Sequence, residues 1–229
     1  MSDETRRTRL PERFERALRP HNDALIAFVL NLLAASMYIG LPRLIQVFPT
    51  YLPFAVTFAL ELVLLTTHYR GLGLQNQRWG FLLLMLQVMF LLSSVGALIV
   101  SIPQHPGIRG DELLWTGARL WLANVLVFAI WYWRFDGGGP QNRQGEECEH
   151  MSFLFPQLLL TRDEATNLRQ TNWHPGVVDY LFLAFNTSTA LSPADTAVIG
   201  RAAKVTTMLQ ATVSLSIVVV VIGRSVNLM

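Results

Sequence analysis

Cysteine and lysine are nearly absent from this chain, each occurring once, as Cys148 and Lys204. A lone thiol excludes an intrachain disulfide and any metal site built on cysteines. Charge is also scarce, at 15% of 229 residues, which is too little for the surface of an ordinary soluble domain. Catalytic signatures are missing as well. There is no phosphate-cradling glycine loop, no G-x-S-x-G, no H-x-x-x-H spacing and no pair of carboxylates on one apolar segment. His21, His68, His105, His150 and His174 fall in different connections, and Glu146, Glu147, Cys148, Glu149 and His150 read as a solvated acidic loop. The sequence therefore predicts no enzyme, no metal and no cofactor. A cleavable leader is not expected either, because the first apolar block begins near Ala24, behind six arginines, and no small-residue cleavage pattern follows it.

What is abundant is apolar sequence in long blocks, 52% of the chain. A hydrocarbon core about 30 Å thick takes roughly 20 mostly apolar residues per helix. The blocks run from Ala24 to Ile39, extending toward Phe48 with Pro42 and Pro49 as punctuation, then Leu52 to Thr67, Trp79 to Ile102, Leu113 to Trp133, Val177 to Leu191 and Val205 to Ile222. Trp131, Tyr132, Trp133 and Phe135 form an interfacial anchor at the end of the fourth. Val177 to Leu191 reaches only about 22 Å as a helix, short of a crossing.

The expected fold is all-α, a polytopic transmembrane helical bundle with five full spans plus one short helix, crossing or re-entrant, before the last span. It divides into a basic N-terminal segment (1–23), a four-helix membrane region (24–135), a polar connection (136–176), and a short helix, loop and final span (177–229). Leu10 to Leu18 reads either as an amphipathic helix in the headgroup layer or as a solvated tail. Phe153 to Phe155 with Leu158 to Leu160 is too short to cross and is expected to pack on the bundle or the lipid surface.

Arginine sets the orientation. With the N-terminus in the cytoplasm, twelve arginines fall inside (six before position 20, then Arg70, Arg78, Arg134, Arg143, Arg162 and Arg169), against Arg43 and Arg109 outside. This predicts a multi-pass protein of a bacterial inner (plasma) membrane with the 136–176 connection cytoplasmic. The basic residues serve orientation, so lipids rather than nucleic acid are the expected surroundings.

Chemistry concentrates in Asn186, Thr187, Ser188, Thr189, Ser192, Asp195 and Thr196, between an apolar helix and a spanning one. The spacing resembles the pore loop of tetrameric cation channels, T-x-T-T-x-G-Y-G-D. Thr187 and Thr189 match two threonines, Ala190 replaces the third, Ser192-Pro193-Ala194 stands for Gly-Tyr-Gly, and Asp195 matches the aspartate. That resemblance implies a symmetric homo-oligomer passing an inorganic cation, with loop carbonyls replacing its hydration shell. Pro193 and the Cβ atoms of Ser192 and Ala194 depart from the glycines of a potassium-type ladder. Arginine counting also places the loop on the inner side, opposite to that family. The same hydroxyl residues would serve equally as caps and interhelical packing groups. The runs Arg134 to Pro140, Phe153 to Gln157 and Asp179 to Asp195 are similar to an uncharacterised family of bacterial integral membrane proteins, a likeness that brings no activity.

Two ionisable residues lie inside apolar blocks, Glu61 and Arg119, at roughly 13 and 9 Å from the same face. They are expected to pair, either as a structural ion pair or on a transport path. Asn31, Gln87, Asn124 and Gln210 read as interhelical hydrogen-bonding groups. Two functional readings follow: a channel-like or permeation protein built around 186–196, and a structural or interaction membrane protein without transport.

Overall fold

The computed structural model describes residues 12–104, 109–140, 151–168, 170, 173–192 and 195–226. Arg6, Arg7, Arg9, His105, Arg143, the Glu146 to His150 cluster, Arg169, Pro193 and Ala194 lie outside the described residues. The chain forms α1 (Glu12–Ser36), α2 (Leu52–Tyr69), α3 (Gly73–Gln104), α4 (Gly110–Phe135), α5 (Arg162–Asn167), α6 (Val177–Thr189) and α7 (Arg201–Val226). Two short strands, β1 (Phe153–Leu154) and β2 (Ala197–Val198), pair antiparallel, with Phe153 opposite Val198 and Leu154 opposite Ala197.

Among the described residues, four helices are long and apolar enough to cross a membrane: α2, α3, α4 and α7. This is a multi-pass membrane protein. α1 differs from its expected outline at both ends. It is already helical at Glu12, its apolar part covers only Asp23–Ser36, and it stops at Ser36 instead of running toward Phe48. The Ser36 hydroxyl donates to the Leu33 carbonyl at 2.7 Å, and successive turns follow. The chain then folds back, with Leu41 and Ile45 buried and Phe48 edge-on to Phe90 of α3 at 5.1 Å between ring centroids.

Lipid tails are as apolar as leucine, so burial against lipid supplies little drive for helix association; close packing and hydrogen bonds do. α4 is the centre of the bundle. It packs on α1, α3, α6 and α7, most extensively on α6, whereas α2 packs on α1 and α3. Gly117 of α4 lets α7 approach so closely that a Cβ there would run into Val221. Phe128, Ala129 and Ile130 are wholly enclosed.

The connection after α4 turns on Gly137, Gly138 and Gly139, all at positive φ (56°, 73° and 97°), where a side chain would be strained. Phe153 and Phe155 then insert beneath the bundle, their rings 4.9 and 5.2 Å from Tyr132 and Tyr180 respectively. The expected packing of this segment on the bundle is thus realised, with a small strand pair that an all-α reading did not include. α5 begins with a capping box. The Thr161 N–H and hydroxyl both donate to Glu164, which holds that carboxyl below the usual glutamate range.

Candidate functional site

α6 spans 13 residues, about 20 Å of helix. Its start is tied to one end of the bundle. The Gly176 N–H donates to Asp179 at 2.8 Å, and the Tyr180 hydroxyl donates to Asp136, just past the end of α4, at 2.6 Å. The other Asp136 oxygen accepts the Ser152 N–H at 2.5 Å. The far end of α6 lies much deeper, because the Ser188 hydroxyl accepts from Asn124 at 3.3 Å. Asn124 precedes Asp136 by 12 residues, about 18 Å along α4.

From that depth the chain comes back. β2 pairs with β1, and the Ile199 N–H donates to the Ser152 carbonyl at 2.8 Å, beside Asp136. Ala197 is seven Cα-to-Cα steps from Ala190, a stretch that reaches at most about 25 Å, enough to cover the roughly 18 Å return. α7 then starts at Arg201 on the same side and runs to the opposite end, where Val221 meets Gly117. α6 and the segment leading to β2 thus start and end at the same end of the bundle, with α6 packed on α4 and α7.

A polar hub fixes the tip. Gln210 of α7, fully buried, accepts from the Tyr132 hydroxyl at 2.6 Å and donates to the Ala184 carbonyl at 2.8 Å and the Ser188 hydroxyl at 2.9 Å. Asn124 also donates to the Gln210 carbonyl at 3.3 Å. The Ser214 hydroxyl donates to the Ser188 carbonyl at 2.7 Å and accepts from the Trp121 indole at 3.1 Å. Three helices are thereby cross-linked at membrane depth, where a polar group without a partner costs several kcal/mol (about 2 to 7). Asn124 and Gln210 do form the interhelical bonds their sequence context predicts, while Trp121, Tyr132 and Ser214 join a network that their interfacial or spanning context did not reveal.

The residues singled out around 186–196 divide into two sets. Thr187, Ser188 and Thr196 are buried inside the chain, and Thr187 donates back to the Leu183 carbonyl. Asn186 is half-buried, whereas Thr189, Ser192 and Asp195 are exposed. On α6 the exposed stripe Val178, Phe182, Phe185 becomes polar at Thr189, its deepest point. Beyond it Leu191 sits at φ 54°, in the left-handed region, so the helix is broken there.

Glu61 and Arg119 do not pair, which corrects the expected intramembrane ion pair. Glu61 accepts from Asn31 of α1, and Arg119 donates to the Gly40 carbonyl in the turn after α1. Counting residues from the helix starts gave the two similar depths, but Glu61 sits level with Asn31 and the Arg134 cavity, on the Asp136 side, whereas Arg119 lies beside Gly117 toward the opposite end. The basic group that faces Glu61 is Arg134. The two line one cavity with Trp133, His68 and Asn76, at the Asp136 end. Arg134 is held there by the Asn76 side-chain and backbone oxygens, at 3.0 and 3.3 Å, and lies across Gly80, where no Cβ would fit. Sequence counting used Arg134 for orientation only; the parallel course of α2 and α4, which brings their ends to one face, was the available signal. No protein-family model matches the chain, and neither does any curated protein or solved structure.

Proposed function

We propose that this protein is a channel-like permeation protein, assembled as a symmetric homo-oligomer in a bacterial inner membrane and passing an inorganic cation along the 186–196 loop. One observation carries the reading. The helix breaks at about half depth and leaves Thr189, Leu191 and Ser192 exposed on the chain's own surface. Non-helical backbone at that depth is tolerated only where it is covered by protein or lines water. A second copy across a symmetry axis, with water between, satisfies that demand. The climb from Thr189 through Ser192 to Asp195 supplies hydroxyls and then a carboxylate to a cation.

The structural or interaction role is the second reading, favoured by the burial of Thr187 and Ser188 within a single bundle. Ser192→Cys in a Cys148→Ser background separates the two. For the permeation reading, copies cross-link at this position in lipid, and cation flux into proteoliposomes is blocked by a thiol reagent. A monomer in lipid with no flux would leave only the structural reading.

A further inference from the structure

The cavity at the Asp136 end is built from four helices and is lined by no residue of α6 or of the segment leading to β2. Its walls are Ala24 and Ala27 of α1, Glu61, Leu64 and His68 of α2, Asn76 of α3, and Trp133 and Arg134 of α4, with Gly138 to Pro140 beside them. Leu64, Ala24 and Ala27 make one part of the wall apolar. Gln77 and Gly138 are exposed and joined by a 3.2 Å hydrogen bond from the Gln77 side chain to the Gly138 carbonyl, which marks the rim. The volume is about 90 Å³, room for roughly six to nine water-sized bodies.

Its charges are arranged in an uncommon way. Glu61 is only 4% exposed, and among the described residues one carboxylate oxygen is taken by Asn31 while the other has no hydrogen-bond donor. Among the described residues, the indole N–H of Trp133, which is 3% exposed, has no acceptor, and neither has the buried Arg134 Nε–H, which lies against Gly80. Glu61 and Arg134 both face the cavity yet do not close to ion-pair distance. If this corner served packing alone, closing the pair would be the cheaper arrangement, since separated buried charges are costly. An open pair with the carboxylate on one wall and N–H donors on another is complementary to a guest with the opposite polarity at each end.

We propose that this cavity binds a small zwitterion of amino-acid size. Its ammonium group sits on the free Glu61 oxygen, and its carboxylate sits on the Trp133 indole N–H and the Arg134 guanidinium. The walls set one carboxyl, Glu61, against one guanidinium, Arg134, so a guest carrying both charges fits where a lone anion or cation would leave one of them uncompensated. The apolar stretch of Leu64, Ala24 and Ala27 suits the methylenes between the two charged ends.

The test is calorimetric titration of the full chain in detergent with glycine, β-alanine and γ-aminobutyrate, a series that varies the distance between opposite charges. Acetate and methylammonium serve as the separate halves. Saturable binding is expected for at least one zwitterion, with the halves weaker by about tenfold or more, and with Glu61→Gln and Trp133→Phe each lowering affinity about tenfold, the scale of one lost hydrogen bond to a charged group. No binding across the series, halves that bind as well as the whole, or a folded Glu61→Gln protein with unchanged affinity would overturn the assignment. If Glu61→Gln fails to fold, Trp133→Phe and the comparison of whole with halves decide it.

Discussion

Gln210 offers the sharpest test of how α6 is held. Replacing it with methionine keeps the length and volume of the side chain but removes three hydrogen bonds, to Tyr132, Ala184 and Ser188. Interhelical hydrogen bonds in membrane proteins average about 0.6 kcal/mol, so their loss alone amounts to about 2 kcal/mol. Gln210→Met also strands the Tyr132 hydroxyl, which is 1% exposed, and an orphaned buried donor costs about 1–3 kcal/mol more. The single substitution should therefore destabilise the protein by about 3–5 kcal/mol. Adding Tyr132→Phe removes the orphan, so the double mutant should be more stable than the sum of the two single losses predicts, because the residues share one bond. Equilibrium unfolding in mixed micelles with a rising fraction of denaturing detergent measures all three. A loss below about 1 kcal/mol for Gln210→Met, or strict additivity in the cycle, would refute the hub as the element that fixes α6.

The separation of Glu61 from Arg119 predicts additivity instead: the double mutant Glu61→Gln, Arg119→Gln should match the sum of the singles within about 0.5 kcal/mol in the same unfolding assay, and a coupling well above that would restore the pair. The twelve-to-two arginine bias predicts that Cys148 is reached by an impermeant thiol reagent only after intact cells are permeabilised. Labelling of intact cells would invert the orientation.

The membrane class and most helix positions could be read directly from sequence, since length and hydropathy along the chain are local properties. The outlines of α2, α4 and α7 follow the apolar blocks within a few residues. α1 did not, because a helix ends where its backbone groups find other partners, and Ser36 with the turns behind it supplies them before Pro42 is reached. The shortness of the 177–191 block was equally visible, and a helix of that length has no way to span a bilayer. That it goes in and returns was decided by contacts distant in sequence: Tyr180 to Asp136 at its start, Ser188 to Asn124 and Gln210 at its tip, and β2 to β1 on the way back.

The same distinction separates the correct polar residues from the incorrect pair. Asn31, Gln87, Asn124 and Gln210 had to find partners on some neighbouring helix, because hydrocarbon offers none, and each makes at least one such bond through its side chain. Which helix stands opposite is another matter. Glu61 and Arg119 are equally far from the starts of their helices, but α2 is the shorter helix, and its offset along the bundle brings Glu61 to Asn31 and the Arg134 cavity while Arg119 stays near Gly117 toward the other end. The sequence by itself determined which polar groups must find partners inside the bundle; only the tertiary packing decided their depth and which of them face one another, because helix offset, azimuth and helix order depend on every neighbour at once.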